Sequence, residues 1–161
     1  MFQLRQIIEQ LEFVEHQIEN LDQEIAAYME RLDSPIQTIP GIGPVYGSII
    51  LSEIGDISRF PGGKQLVSFA GLDASVSQSG DFTGTQMHMS KRGSPYLRRA
   101  IFGAAMVASR ADPELATYYQ GLKARGKHHY VAVGAVARKL CYIIYAVLSE
   151  NRAFITQPMP E

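Results

Sequence analysis

The sequence predicts a mainly α-helical protein, with an N-terminal coiled-coil helix and a compact helical domain that carries a helix-hairpin-helix-like motif and a small loop or β-hairpin. Three observations predict this fold: an unbroken three-four apolar spacing near the N-terminus, a Pro-Gly turn that opens a helix, and an apolar run over 131–149. With 161 residues, 46% of them hydrophobic, the chain can form one packed domain and an appendage. We therefore expect an arm over residues 1–33 and a body over 34–161.

The arm carries the pattern of a coiled-coil seam. Its apolar side chains alternate spacings of three and four, and no Gly or Pro interrupts them before Ser34-Pro35. A lone helix with a narrow apolar stripe is marginal in water, so the seam predicts a homo-oligomer through residues 4–32. The alternative is that the seam packs along its own body. The seam comprises Leu4, Ile7, Leu11, Val14, Ile18, Leu21, Ile25, Tyr28 and Leu32.

Charge is divided unevenly along the chain. The formal net charge is −1, but residues 2–33 hold two cationic and eight acidic side chains, a charge of −6. Residues 59–139 hold twelve cationic and four acidic side chains, a charge of +8. The asymmetry predicts a polyanionic partner for the body.

Apolar runs, the N-terminus and the cysteine count predict the cellular location of the chain. No segment approaches the roughly 20 consecutive apolar residues of a membrane span, and the N-terminus lacks the pattern of a secretion signal. We therefore expect a cytoplasmic protein with no membrane partner. Cys141 is the only cysteine, which excludes an internal disulfide and a zinc site built from several thiolates, and we expect it to be a buried core thiol.

The body opens with a glycine-containing turn. Pro40-Gly41-Ile42-Gly43 is followed by an apolar stretch, an order typical of a tight turn that begins a helix. The arrangement is similar to the hairpin of helix-hairpin-helix DNA-binding modules, with residues 36–39 before the turn and 45–54 after it. Because free N–H groups at a helix start can hold phosphate, Gly41 and Gly43 are candidate phosphate-binding residues. A plain turn without a ligand is the alternative.

Local signals predict the remaining elements. A short helix is expected over 64–70, followed by a polar loop or hairpin over 74–89. Ser94 as N-cap and Pro95 at the first helical position predict a helix to about residue 110, whose small residues would let another helix approach closely. The apolar segment 131–149 predicts the central core helix.

Two clusters of cations could contact phosphate. The first surrounds Ser90 and comprises Lys91, Arg92, Arg98 and Arg99, and the second comprises Lys123, Arg125 and Lys127. A solvated basic turn is the alternative for the first cluster. The adjacent His128 and His129 lack the spacing of metal ligands, so we expect contacts with solvent or phosphate and predict no metal site.

The residues of this region are compatible with serine chemistry on a phosphodiester. A serine hydroxyl that attacks a phosphodiester must lose its proton, and nearby cations stabilise the charge on the phosphate. Ser90 is the preferred nucleophile, because Ser94 is expected to use its oxygen as an N-cap. His88 is the only nearby candidate base in sequence, and its alternative role is that of an exposed polar residue.

Five motifs in a fixed order suggest a family. They are Ile-Pro-Gly-Ile-Gly at 39–43, Phe-Ala-Gly-Leu-Asp at 69–73, Ser-Gly at 79–80, Ser-Lys-Arg-Gly-Ser-Pro-Tyr-Leu-Arg-Arg at 90–99 and Ala-Val-Ala-Arg-Lys-Leu at 135–140. Over about residues 36–150 the chain resembles the C-terminal transposase domain of the IS110 family of insertion-sequence transposases, which includes Piv-type DNA invertases.

The resemblance implies a site-specific DNA recombinase with two catalytic parts. An N-terminal RuvC-like domain carries four acidic metal ligands, where Mg²⁺ is expected, and the present domain carries a serine nucleophile that matches Ser90. The resemblance also implies a coiled coil between the two parts and, for some members, a guide RNA. We therefore expect this chain to be a C-terminal fragment that binds DNA, contains no cofactor and is inactive alone.

Two alternatives belong to other functional classes. The first is a non-catalytic helix-hairpin-helix module that binds nucleic acid and dimerises. Its binding would weaken as salt rises and would not depend on Ser90. The second is a structural oligomerisation domain whose basic side chains only increase solubility.

Overall fold

A computed structural model of the chain describes residues 2–73, 78–79, 82–83 and 89–156, with backbone alone for 78–79 and 82–83. The described residues form α1 (Phe2–Leu32), α2 (Pro44–Ile54), α3 (Gly63–Phe69), β1 (Gln78–Ser79), β2 (Phe82–Thr83), α4 (Pro95–Ala111), α5 (Pro113–Ala124) and α6 (His129–Ser149). Short 3₁₀ turns lie at Pro35–Thr38 and Ile57–Arg59. The chain is therefore mainly α-helical, which confirms the predicted fold class.

The chain divides into two compact units, Met1–Ser34 and Pro35–Glu161. The first unit is the single helix α1, which ends where Asp33 takes the left-handed conformation at φ 48°. An exposed pair within it joins Arg5 Nε to Glu9 Oε1 at 3.6 Å across one helical turn. The seam side chains Leu4, Ile7, Leu11, Val14, Ile18, Leu21, Tyr28 and Leu32 are 48–60% exposed.

The second unit is built around α4 and α6. Helix α6 packs against α3, α4 and α5, and α2 packs against α4. Although α6 is apolar enough to satisfy a membrane-span criterion, it is a core helix with nine buried residues. Burial of Cys141 in this helix raises the pKa of its thiol to about 12, so the expected core thiol is confirmed.

Small residues on α4 set how closely its neighbours approach. A Cβ on Gly103 would lie 2.4 Å from the hydroxyl oxygen of Tyr46 on α2, and a Cβ on Gly41 would lie 2.4 Å from the carbonyl oxygen of Ala104. The predicted close approach to α4 is therefore present. It is made by α2 and by the turn that precedes α2.

Helix boundaries follow local capping signals. Ser94 accepts from the N–H of Leu97 at 3.1 Å, and Pro95 begins α4, as predicted. The sequence analysis did not identify α5, which Asp112 caps by accepting from the N–H of Leu115 at 2.9 Å. Within the segment predicted to be a loop or hairpin, the structure describes one antiparallel pair, in which Gln78 faces Thr83 and Ser79 faces Phe82.

Candidate nucleic-acid interface

Two of the sequence motifs, which flank residues 74–88 in the sequence, lie against each other. The Ser90 N–H donates to the Asp73 carbonyl at 2.9 Å, and the Lys91 N–H donates to the Gly71 carbonyl at 3.1 Å. Further along, the Ser94 N–H donates to the Phe69 carbonyl at 2.8 Å. The Phe-Ala-Gly-Leu-Asp and Ser-Lys-Arg-Gly-Ser motifs therefore form one paired structure, which we call the serine turn (residues 69–73 and 90–94).

Two glycines permit this pairing. A Cβ on Gly93 would lie 1.9 Å from the carbonyl oxygen of Phe69, a distance that no side chain can occupy. Gly71 has φ +65°, and a Cβ there would lie 2.8 Å from the backbone nitrogen of Gly93. Both motifs thus contain glycine because their backbones touch each other.

The hydroxyl of Ser90 is bonded to a carboxylate. It donates to Asp73 Oδ1, and both residues are half-buried. Such a pair can serve either of two roles, because a carboxylate can accept the proton of an attacking hydroxyl, whereas a buried hydrogen bond can also simply secure a turn. The sequence analysis quoted Asp73 as part of a motif but assigned it no role. The candidate base considered there, His88, lies outside the described residues.

The hydroxyl of Ser94 makes two hydrogen bonds. Besides capping α4, its hydroxyl donates to Glu53 Oε2 at 2.7 Å, which ties the start of α4 to the C-terminal part of α2. A serine that accepts one hydrogen bond and donates another has an evident structural role. The predicted N-cap role of Ser94 is therefore confirmed, and the choice of Ser90 as nucleophile stays a prediction.

A basic groove of about 630 Å³ lies next to the serine turn. Met89 and Lys91, the chain neighbours of Ser90, both line it, together with Arg98 and Arg99. Arg98 is half-buried and donates to the Ala70 carbonyl at 3.2 Å, which fixes its position at the groove. The remaining lining residues are Tyr46, Pro95, Phe102, Gly103, Met106 and Tyr130.

Lys91 adopts an unfavourable backbone conformation. Its φ is +55°, in the left-handed region that costs a non-glycine residue roughly 1–2 kcal/mol. Strained residues of this kind cluster at functional sites. Three of the four cations predicted around Ser90 line the groove, and the fourth, Arg92, is exposed outside its lining.

Residues 33–120, more than half of the chain, match the model of the transposase family IS116/IS110/IS902. The chain belongs to this family. The predicted family resemblance is thereby confirmed, and the matched region includes the serine turn and most of the residues that line the groove.

Several relatives agree with the family match. The chain is 32% identical over 149 residues to an uncharacterised 43.6 kDa protein of insertion element IS110 from Streptomyces coelicolor, covering 91% of the chain and 36% of the relative. It is 36% identical over 122 residues to the pilin gene-inverting protein of Moraxella bovis, covering 75% and 38%. It is 30% identical over 144 residues to the IS1328 transposase of Yersinia enterocolitica, covering 86% and 42%. The chain thus spans about two fifths of the length of these family members.

The second basic turn of this family member has a different arrangement. Lys123 Nζ donates to the Lys127 carbonyl at 3.1 Å, and Arg125 Nε donates to the Gly121 carbonyl at 3.1 Å. All three predicted cations are exposed and lie outside the lining of the basic groove. Two of them therefore stabilise the C-terminal end of α5, and phosphate contact by this cluster remains a prediction.

The glycine turn also acts mainly within the fold. Gly41, at φ +86°, is needed because the turn lies against the backbone of α4. No atom lies within 4 Å of the position that a Cβ on Gly43 would take, so this side of the turn is open. Only a 3₁₀ turn at Pro35–Thr38 precedes it within this unit, in place of the first helix of a helix-hairpin-helix. Phosphate contact at Gly41 and Gly43 remains a prediction.

The histidines after α5 have partners within the chain. His129 Nδ1 lies 2.7 Å from the hydroxyl of Tyr119, and His128 caps α6 by accepting from the Tyr130 N–H at 3.4 Å. Among the described residues no group of three or more His, Cys, Asp or Glu side chains could hold a metal ion. The sequence analysis overlooked Tyr130 as a groove residue, although its position directly after two histidines and near three cations was visible.

Proposed function

We propose that this chain is the serine-bearing part of a DNA transposase or site-specific recombinase, and that Ser90 is its nucleophile. The observation that carries the proposal is the Ser90–Asp73 hydrogen bond beside a groove lined by Lys91, Arg98 and Arg99. Family membership supports the reaction class. The groove cations supply the charge that a DNA backbone requires.

The proposed first step forms a covalent link between protein and DNA. The Ser90 oxygen attacks phosphorus and passes its proton to Asp73, while the P–O3′ bond breaks. The 3′ oxygen leaves with a proton from solvent, and the 5′ phosphate stays on Ser90. Attack by the 3′ hydroxyl of a second strand reverses the chemistry and joins the strands. Lys91 and Arg99 stabilise the charge that develops on the phosphate.

The proposal assigns metal binding to a separate domain. Near the serine turn the two described acidic side chains, Asp73 and Glu53, each accept a hydrogen bond from a serine. These residues do not form a Mg²⁺ site, so none of the steps above passes through a metal. We place the four acidic ligands expected for the family on a RuvC-like domain, and we propose that strand cleavage requires both parts.

Variants of the full-length protein test this proposal on supercoiled DNA that carries the recombination site. Ser90→Ala is expected to lower recombination at least 10³-fold, and Ser90→Cys to retain a fraction of the activity. Asp73→Asn keeps an acceptor for the hydrogen bond but cannot take the proton. It should therefore slow recombination. Full activity in Ser90→Ala would refute the nucleophile.

A control separates chemistry from folding. Ser94→Ala removes the α4 cap and the bond to Glu53, which should cost about 1–2 kcal/mol of stability. The same variant should leave recombination measurable at a temperature where it is folded. If Ser94→Ala and Ser90→Ala lost activity in proportion to their loss of stability, Ser90 would have only a structural role.

Self-association through α1 is the second part of the proposal. The exposed seam described above supplies the self-complementary apolar face of a coiled coil. The paired changes Leu11→Glu and Ile18→Glu are expected to shift the chain to monomer in sedimentation equilibrium, while Glu12→Lys and Glu19→Lys, off the seam, should not. An unchanged mass in the seam variant would show that α1 does not assemble copies of this chain.

A non-catalytic binding module is the second candidate, favoured by a groove that could bind nucleic acid without Ser90. Electrophoretic mobility shifts at increasing salt measure the binding that both candidates predict, and the recombination assay distinguishes the two candidates. Binding that falls with salt and does not depend on Ser90 is expected in both cases. Only the module predicts that recombination also persists in Ser90→Ala. Competition between DNA and RNA for binding to the chain tests whether RNA is also a partner.

A further inference from the structure

A group of aromatic side chains forms one wall of the basic groove. Tyr130, in the first turn of α6, lines the groove and is 62% exposed. Its ring lies 6.4 Å from the ring of Phe102 on α4, with an angle of 29° between the planes. An exposed tyrosine ring stacked on a second groove residue presents a flat apolar surface beside charged side chains.

Hydrogen bonds hold the two histidines whose rings lie near the Tyr130 ring. His129, whose ring is 5.1 Å from that of Tyr130, is tied to the hydroxyl of Tyr119. The ring of His128, two positions before Tyr130, lies 5.7 Å from the Tyr130 ring, and His128 caps α6. Because its neighbours are held by α4, α5 and the helix cap, Tyr130 loses little conformational freedom when a ligand binds.

The charges along the groove specify the class of ligand. Ten residues line it, of which Lys91, Arg98 and Arg99 are cationic and none is acidic. A ligand that matches both features has a chain of anions and flat apolar groups at intervals. Single-stranded nucleic acid has this chemistry, whereas a duplex keeps its bases stacked on one another and offers only phosphates.

We propose that Tyr130 is a base-stacking residue, on which an unpaired nucleobase lies while the adjoining phosphates contact Arg98 and Arg99. The inference rests on the proposed binding of nucleic acid in this groove. It further specifies that the nucleic acid is single-stranded and that Tyr130 contacts its unpaired base. The groove then distinguishes an opened strand from intact duplex. This discrimination requires no base-specific hydrogen bond, because every base has an aromatic face.

Fluorescence of 2-aminopurine tests the inference with the 161-residue chain. The probes are a twelve-nucleotide single strand with 2-aminopurine at each position in turn and the same strand annealed to its complement. Tyr130→Ala is expected to weaken binding of the single strand about tenfold and to remove quenching at one position, with less than a twofold change for the duplex. Tyr130→Trp should preserve both binding and quenching.

Tyr96→Ala is the matched control. Tyr96 is 69% exposed, lies in the first turn of α4 and is absent from the lining of the groove. It should bind both probes like the unchanged chain. Equal losses for single strand and duplex in Tyr130→Ala, or equal losses in Tyr130→Ala and Tyr96→Ala, would overturn the inference.

The readout also separates this inference from the proposed catalysis. No strand is cut in the fluorescence assay, so Ser90→Ala should leave quenching unchanged even if Ser90 is not the nucleophile. Conversely, the full-length protein could still form its DNA adduct while the Tyr130→Ala chain binds the single strand normally. That result would refute base stacking on Tyr130 and would leave the proposed catalysis intact.

Discussion

The two basic turns of this chain have similar compositions and different structures. Each combines several Lys and Arg residues with a glycine, yet the cations near Ser90 precede or begin α4, whereas those near Gly126 end α5. The backbone dipole disfavours positive charge at a helix start and favours it at a helix end. Lys123 and Arg125 are accordingly bonded to carbonyls of their own turn. Among the described residues no backbone carbonyl accepts a hydrogen bond from the side chain of Arg99, which lines the groove.

This difference shows which basic clusters require an outside partner. A cation at the end of a helix is stabilised by the fold, so its presence needs no ligand. Cations at the start of a helix, next to a lysine at φ +55°, are held against local preference. A bound anion would offset the cost of that arrangement. The serine turn is therefore the better candidate for contact with DNA.

The largest effect is expected from the glycines. Gly93→Ala should destabilise the chain by about 3 kcal/mol, because the new Cβ would overlap the Phe69 carbonyl and separate the paired motifs. Gly121→Ala, near the second turn, meets no atom within 4 Å and should stabilise α5 by up to about 1 kcal/mol. Urea denaturation followed by circular dichroism measures both. If the two variants had similar stabilities, the serine turn would not be more tightly packed than the second basic turn.

Charge removal should separate the turns by function. Replacing Lys91 and Arg99 by Gln is expected to weaken DNA binding at least tenfold and to reduce the slope of log affinity against log salt by about 2. Replacing Lys123 and Lys127 by Gln removes the same net charge and should change affinity less than twofold. Fluorescence anisotropy with a labelled duplex measures both pairs. Equal losses would mean that net charge alone determines binding.

Lys91→Gly should have smaller effects, and they should differ in direction: the chain keeps or gains stability but binds DNA more weakly. Glycine adopts φ +55° without strain, so the free energy of unfolding should stay the same or rise by up to about 1 kcal/mol, while affinity for DNA falls several-fold. The matched change Arg125→Gly, at φ −81°, releases no such strain and should lower stability slightly without reducing affinity. A loss of stability in Lys91→Gly would contradict strain at the serine turn.

Local signals predicted the helices well. Ser94 and Pro95 mark the start of α4, and the apolar run ending at Ser149 marks α6, because caps and periodicity depend on neighbouring residues. The unpredicted helix α5 had an equivalent signal in Asp112-Pro113. The sequence analysis treated the adjoining region only as a source of charge.

Contacts between distant residues could not be predicted in this way. Asp73 and Ser90 are 17 positions apart and meet because Gly71 and Gly93 let two backbones touch. Gly41 was interpreted as a possible phosphate contact. The structure shows instead that a side chain at this position would collide with the carbonyl oxygen of Ala104 on α4. Both facts depend on the packing of separate elements, which motif spacing does not encode.

Mapping the covalent adduct by mass spectrometry tests the central claim most directly. Full-length protein is trapped on a DNA substrate nicked so that strand joining cannot occur, digested with protease and nuclease, and searched for a nucleotide-bearing serine. The account predicts a single modified peptide with the 5′ phosphate on Ser90. Modification of another serine, such as Ser79 of the Ser-Gly motif in β1, or cleavage with no serine adduct, would contradict it.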